Sequence, residues 1–340
     1  MAFRASLVAA ACLGALAHAK MSEAPYFYNT KRPLVVAHRG GDSRFPEESI
    51  GSLEDAYFQG TDFIEFDLQV TSDGILVVQH DSDLNETTNI GEYADHFEDR
   101  MRDDGKFYVS DFTLIELRLL KRSMRESWRS PLNNDKFDII TLEEVIEWTQ
   151  MLNKDYPRRL NSDNEYPVGL YIELKDYTDT LNYLGVDMAE EMDKILSHYG
   201  IGTVADCTHK MPIIVQSFDE DALDKYATLS DLPLVMLYGY HDTDPQWEKF
   251  GKKFHGVGPD SQWVMNPTSL TRGPHDWFRE LARNTYSNFV ETMHSYDLAV
   301  HPYTLKNDSL AYRTNAYLET QLYVDNGVDG AFTEYCGTTF

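Results

Sequence analysis

Short apolar runs recur along the chain, with helix-like patterns between them. The runs lie at 34–37, 62–70, 168–174, 212–218, 232–238, 255–260, 298–304 and 327–335. Most read as buried strands by length and by their β-branched or aromatic content. Between them, Ile50, Leu53 and Tyr57 recur at helical spacing after Pro46 and before Gly60, and Met188, Met192, Ile195 and Tyr199 do so before Gly200. Such alternation predicts parallel strands joined by helical crossovers. Eight of them fit an α/β fold, a closed (β/α)8 TIM barrel, which houses its site at strand C-terminal ends. An open doubly wound sheet fits less well, because it would gather polar residues at one switch point and not at the ends of many strands.

One apolar run stands outside this count. Asp73-Gly74 is a hairpin-turn pair between DFIEFDLQV and ILVVQH, so the second run predicts an antiparallel excursion. Its return brings His80-Asp81 back beside the strand that carries Glu65 and Asp67. The stretch 81–140 is longer than a crossover needs. Its part from about 85 to 111, with Tyr93, Phe97, Phe107 and Tyr108, reads as an insertion folding over the mouth. DFTLIELRLLK predicts a helix starting near Asp111 or Thr113, and TLEEVIEW one starting at Thr141. No repeat or linker divides residues 20–340, which read as one domain.

Polar residues at strand ends change the picture from fold to chemistry. Glu65 and Asp67 share one strand face, as do Glu173 and Lys175 in LYIELKD, because side chains alternate along a strand. Carboxylates aligned on a half-buried strand are costly without a cation to offset their repulsion. His38-Arg39 ends the first strand and His80-Asp81 the hairpin. For a lone strand-end histidine a structural hydrogen bond is the commoner role, and for Glu173 with Lys175 an internal salt bridge suffices. Together these residues point to a hard-metal and phosphate site.

Composition sets the boundaries. The 42% of hydrophobic residues allows a full core for 340 residues. MAFRASLVAAACLGALAHA has one early positive charge, an apolar stretch and an Ala17-His18-Ala19 ending, and reads as a secretory signal, 1–19, cleaved before Lys20. Export is the expected fate, to the periplasm in a bacterium. No later stretch is long enough to span a membrane. The 30 basic and 56 acidic residues give −26, and loss of Arg4 makes it −27, which disfavours nucleic acid and anionic membrane surfaces. Asn85-Glu-Thr87 and Asn307-Asp-Ser309 match glycosylation sequons, which arise often by chance. Cys207 precedes one strand and Cys336 follows the last, at opposite barrel faces. A five-residue strand spans roughly 16 Å and bridged Cα atoms lie within about 7 Å, so no disulfide is expected.

In order and spacing, AHRGGDSRFPEES, DFIEFDLQVTSDGILVVQHD, YIELK, VQSF and GVDGAFTEY resemble the glycerophosphodiester phosphodiesterase family. RMRDDGKFYVSDFTLIEL, GVGPD and VHPYTLKND resemble its longer bacterial periplasmic type. The resemblance implies His38 and His80 as acid and base, Glu65, Asp67 and Glu173 as holders of one divalent cation, and Arg39 and Lys175 as phosphate contacts. Three carboxylates, a phosphate oxygen and water make a hard-cation shell, with calcium ahead of magnesium. The implied activity is a secreted, metal-dependent cleavage of glycerophosphodiesters to glycerol 3-phosphate and an alcohol. Two rivals are a lysophospholipase D-like phosphodiesterase and a catalytically inactive secreted binding protein on the same barrel. The chain departs from the family at Glu48, read as dressing a helix N-terminus, and at Glu334, where an aspartate is common and which is left without a role. Tyr303 and Phe218 are read as packing as readily as pocket wall.

Overall fold

The sheet of the computed structural model, which describes residues 24–28, 32–157, 166–239, 246–265, 288–310 and 315–338, contains nine strands. The proposed signal, 1–19, lies outside the described residues. The strands are β1 (Leu34–Ala37), β2 (Phe63–Val70), β3 (Leu76–Val78), β4 (Gly169–Leu174), β5 (Ile213–Ser217), β6 (Leu234–Tyr238), β7 (Gly256–Pro259), β8 (Ala299–Val300) and β9 (Gly330–Thr333). Their order is β8-β7-β6-β5-β4-β2-β1-β9, with every neighbouring pair parallel. All eight expected barrel strands are present. The edges approach closure where Asp329 N–H donates to Val300 O at 3.0 Å, Phe332 N–H donates to Pro302 O at 3.0 Å, and Leu305 bridges to Thr333. This is the predicted (β/α)8 barrel. β8 is shorter than the 298–304 run because Pro302 has no N–H to give to a ladder.

The helices include α1 (Ile50–Gln59), α2 (Leu142–Asp155), α3 (Tyr177–Leu184), α4 (Met188–His198) and α5 (Glu220–Tyr226). Ser49 caps α1 by accepting from Ser52 N–H, and Gly60 ends it at φ +92°. Thr141 caps α2 in a capping box with Glu144. Leu142, Val145, Ile146 and Leu152 of α2, and Met188, Met192 and Leu196 of α4, join the core around the barrel.

The hairpin forms as expected. Gly74 takes φ +82° at the turn, and β3 pairs antiparallel with β2, Leu68 opposite Val78. Gln79 N–H then donates to Asp67 O at 2.9 Å, so His80 emerges beside Asp67. The following stretch builds a second core from Val77, Leu84, Ile90, Phe97, Phe107, Val109, Phe112, Leu117, Leu120 and Ile139. The expected DFTLIELRLLK helix is one turn, Leu114–Leu117, with Thr113 and Glu116 as its capping box. It stops early because Asn89 N–H claims Lys121 O at 3.0 Å and Arg122 bridges to Thr88. Cys207 and Cys336 are buried free thiols.

Phe112 is fully buried and packs edge-on against Phe97 with ring centroids 5.0 Å apart. Phe112→Ala should therefore lower unfolding free energy by about 3–5 kcal/mol. Chemical denaturation would check it, and a loss below about 1 kcal/mol would show that this second core adds little to the fold.

Candidate active site

The barrel's strand register assembles the site. Asp67 on β2 lies opposite Glu173 on β4, and Glu173 lies opposite Gln216 on β5. Glu65 sits two residues before Asp67, so both carboxylates face the same way. Glu65, Asp67 and Glu173 are buried, and an oxygen from each lies within 4.8 Å of the others. His38, Arg39, His80, Lys175, Gln216, Phe218, Tyr303 and Phe332 share with them a cavity of about 90 Å³. Every site residue expected from sequence thus lies at one mouth.

Arg39 reaches the cluster by its backbone as well as its side chain. It takes φ 50° and ψ 35°, a left-handed conformation that costs a non-glycine residue about 1–3 kcal/mol. In that turn Arg39 N–H donates to Glu65 Oε2 at 2.7 Å, while its guanidinium donates to Glu47 Oε2 at 3.2 Å and lies 3.8 Å from Asp67. Gly40 follows at φ +79°, where a Cβ would fall 2.6 Å from Ser52 Oγ. Gln216 Nε2 donates to the other Glu65 oxygen at 3.0 Å. Lys175 Nζ lies 2.8 Å from Glu173 and 3.5 Å from Asp67.

The trio is more negative than its protein neighbours offset. Burial, then Asp67 and Glu173, push the Glu65 carboxyl well up. Glu173 is pushed up to about 8 by burial, which Lys175 opposes and Asp67 reinforces. Burial raises Asp67 too, but Lys175, His80 and Arg39 outweigh it and hold that group ionised. Neither Asp67 oxygen has a hydrogen-bond donor. Three buried carboxylates side by side, with both Asp67 oxygens lacking a donor, fit a hard cation.

Each histidine has a carboxylate at Nδ1. His80 Nδ1 lies 2.6 Å from Asp81 Oδ1, and His38 Nδ1 lies 3.3 Å from Glu334 Oε1. Burial first, and then the Arg39 charge, bring His38 down to about 4 against the pull of Glu334. Glu334 is itself held low by His38, Lys306 and Arg129, against its burial. The sequence alone assigns Glu334 no role. Its partners come from distant segments, and no local spacing announces them. Glu48 departs further from expectation. It is fully buried, and its two oxygens accept from Asp67 N–H at 2.9 Å and His80 N–H at 2.7 Å, tying the β2 and hairpin ends together. Glu48 takes a left-handed φ of 56° just before α1, and its carboxylate goes to these two amides. Gln216 is one of two polar residues in VQSF, and no local spacing marks it for the site. Phe218 and Tyr303 meet edge-on at 5.9 Å and do wall the cavity.

Comparison with known proteins gives this arrangement its class, a phosphoric diester hydrolase on a (β/α)8 barrel. More narrowly, the chain belongs to the glycerophosphoryl diester phosphodiesterase family, whose model matches residues 38–338. It is 30% identical to glycerophosphodiester phosphodiesterase GDPD6 of Arabidopsis thaliana, over 91% of this chain and 85% of that protein. It is also 30% identical to a glycerophosphodiester phosphodiesterase of Haemophilus influenzae, over 90% of this chain and 88% of that one. A solved phosphodiesterase of Oleispira antarctica, in complex with the product sn-glycerol-3-phosphate, matches with a TM-score of 0.59 at 20% identity, covering 90% of this chain and 94% of that one. A glycerophosphodiester phosphodiesterase of Agrobacterium tumefaciens matches with a TM-score of 0.55 at 19% identity, covering 90% and 98%. These two likenesses bear on the fold.

Glu65→Gln and Asp67→Asn should each weaken calcium binding by at least about tenfold in titration calorimetry, since even indirect ligand supports are worth 10–100-fold. Thermal unfolding without added cation should stay the same or rise for Glu65→Gln, whose carboxyl is pushed well up, and fall for Asp67→Asn, whose charge Lys175, His80 and Arg39 favour. Unchanged calcium affinity in both variants would remove the trio as the cation site.

Proposed function

We propose that this chain is an exported enzyme that hydrolyses glycerophosphodiesters to glycerol 3-phosphate and an alcohol, with one divalent cation, calcium ahead of magnesium, held by Glu65, Asp67 and Glu173. The observation that carries the reading is the meeting of His38, His80, Arg39 and Lys175 around that buried trio in a chain of this family. The cation would supply charge neutralisation at the phosphoryl oxygens. Arg39 and Lys175 flank the trio as further positive charge for the same oxygens.

In the proposed course, the glycerol 2-hydroxyl attacks phosphorus and the bond to the leaving alcohol breaks, giving a cyclic phosphate. His38, neutral above about pH 4, takes the hydroxyl proton. His80, with Asp81 at Nδ1 to support its imidazolium, gives a proton to the leaving oxygen. Water then opens the ring with the two roles reversed, which leaves both histidines as they began.

The cavity is small against the roughly 300–1,000 Å³ of ordinary ligand pockets, so it suits a phosphoryl group and its nearest carbons. The adjoining groove, about 520 Å³, is lined by Asp176, Asp179, Phe218, Asp219 and Glu220 as well as Lys175. Those carboxylates suit a water-soluble alcohol better than an acyl chain, which favours the diester over a lysophospholipid. Among the described residues no helix is long and apolar enough to cross a membrane. Export rests on the pattern of residues 1–19. The mature protein should begin at Lys20 by N-terminal sequencing, and exported protein that keeps Met1 would count against a cleaved signal.

Turnover of glycerophosphocholine, read as glycerol 3-phosphate released, should require the cation and stop with chelator. Full activity after chelation would sink the metal-dependent reading. A 2-deoxy glycerol analogue should bind yet turn over at least about 10² more slowly. The acid limb follows from His38: its depressed pKa means the base form persists as pH falls, and kcat/KM should drop only as pH passes down through about 4. A limb centred near the ordinary imidazole value of about 6.5 would reassign the base.

A further inference from the structure

Three arginines lie close together in the segment that leaves the second core: Arg122, Arg125 and Arg129. The segment's backbone is fixed on both sides. Asn89 N–H donates to Lys121 O at 3.0 Å, Ser123 N–H to Thr87 O at 2.8 Å, and Met124 N–H to Asn134 Oδ1 at 2.9 Å. Each arginine points inward to a carboxylate that the site already uses.

Arg122 is fully buried, donates to Gln79 Oε1 at 2.7 Å and to Val78 O, and lies 3.8 Å from Glu48, the residue that holds the Asp67 and His80 amides. Arg125 forks onto Glu47 at 2.8 and 2.9 Å and reaches Asp81 Oδ2 at 2.7 Å, while the other Asp81 oxygen meets His80 Nδ1. Arg129 pairs with Glu334 Oε2, whose other oxygen meets His38 Nδ1. It also forks onto Asp308 at 2.8 and 3.0 Å and meets Asp42 at 3.0 Å. Lys306 Nζ adds a 2.6 Å contact to Glu334. Asp42, Glu126 and Glu334 have the spacing of a second cation site, but the Arg129 guanidinium already sits among them.

We infer that residues 122–129 are a positioning strap: Arg125 and Arg129, through Asp81 and Glu334, set the two histidines, and Arg122 through Glu48 sets the hairpin end that carries one of them. Asp81 and Glu334 are positioning residues in the same sense. Arginine suits this task because its planar fork fixes a carboxylate in orientation, which the single ammonium of lysine does not. A carboxylate fixed at Nδ1 in turn fixes the ring and its tautomer. The strap's link to turnover rests on the reading of His38 and His80 given under the proposed function; its link to ring position does not.

The experiment pairs kinetics with histidine ring ¹⁵N shifts in the full-length protein. Arg129→Gln should move the His38 ring signals and leave those of His80, and Arg125→Gln should do the reverse. Each should lower kcat on glycerophosphocholine by at least about tenfold with KM within about twofold, the mark of lost positioning and not lost substrate binding. Arg129→Lys and Arg125→Lys should recover part of the loss. A raised KM at unchanged kcat, or ring signals that do not follow the arginine removed, would overturn the strap. If the glutamine variants fail to fold, Glu334→Gln and Asp81→Asn break the same links at nearly constant size, and unchanged kcat in both would overturn it equally. Wild-type protein inactive on glycerophosphocholine but with arginine-specific ring shifts would sink the substrate reading and uphold the strap.

Discussion

Three carboxylates held within 4.8 Å of one another inside a barrel are a charge problem that the surrounding structure must answer. Strand geometry creates the problem: alternation sets Glu65 and Asp67 on one face, and parallel register sets Glu173 level with Asp67. Much of the mouth can be understood as the answer. Arg39 adopts a left-handed turn so that both its N–H and its guanidinium face the cluster. Lys175 leans across Glu173 and Asp67, and Gln216 donates to Glu65. The remaining excess of negative charge is what makes the site receptive to a divalent cation.

A second tier of charge stands behind the first. Glu47, Glu48, Asp81 and Glu334 would be further unpaired carboxylates near the same mouth if nothing met them, and for Glu47, Glu48 and Glu334, which are buried, that would cost several kcal/mol each. Arg122, Arg125 and Arg129 meet them, joined by Lys306 and by the Arg39 guanidinium. These three arginines leave the second core, which also packs Val77 on the hairpin strand. The long stretch between β3 and α2 therefore supplies charge to the site. Its apolar core supports the backbone from which the charged side chains reach inward.

The barrel was legible because its signals are local. Apolar runs marked the strands, Asp73-Gly74 marked the hairpin, and period two put Glu65 with Asp67 and Glu173 with Lys175. His80 could be placed because a hairpin's return is fixed by its turn. The second tier left no such trace. Glu334 meets Arg129 across 205 residues, and Arg129 meets Asp308 across 179. No periodicity connects those positions, and in the sequence Arg122, Arg125 and Arg129 look like solvated charges on a polar loop. Glu48 misled for a related reason. Its place before α1 suits a carboxylate near a helix N-terminus, yet its carboxylate goes to the Asp67 and His80 amides.

The two histidines share a design but not an environment, and the difference gives the proposed reaction a direction. His38 is 13% exposed, next to Arg39, with its carboxylate partner already shared among Lys306 and Arg129. Burial first, and then the Arg39 charge, resist an imidazolium there, and the pull of Glu334 does not overcome them. His80 is 25% exposed, with Asp81 at 2.6 Å shared with Arg125 alone. The depressed value of His38 favours its neutral ring, which suits the base of the proposed reaction. At His38 that preference comes first from burial and then from the Arg39 charge, and Lys306, which sits against Glu334, adds to it.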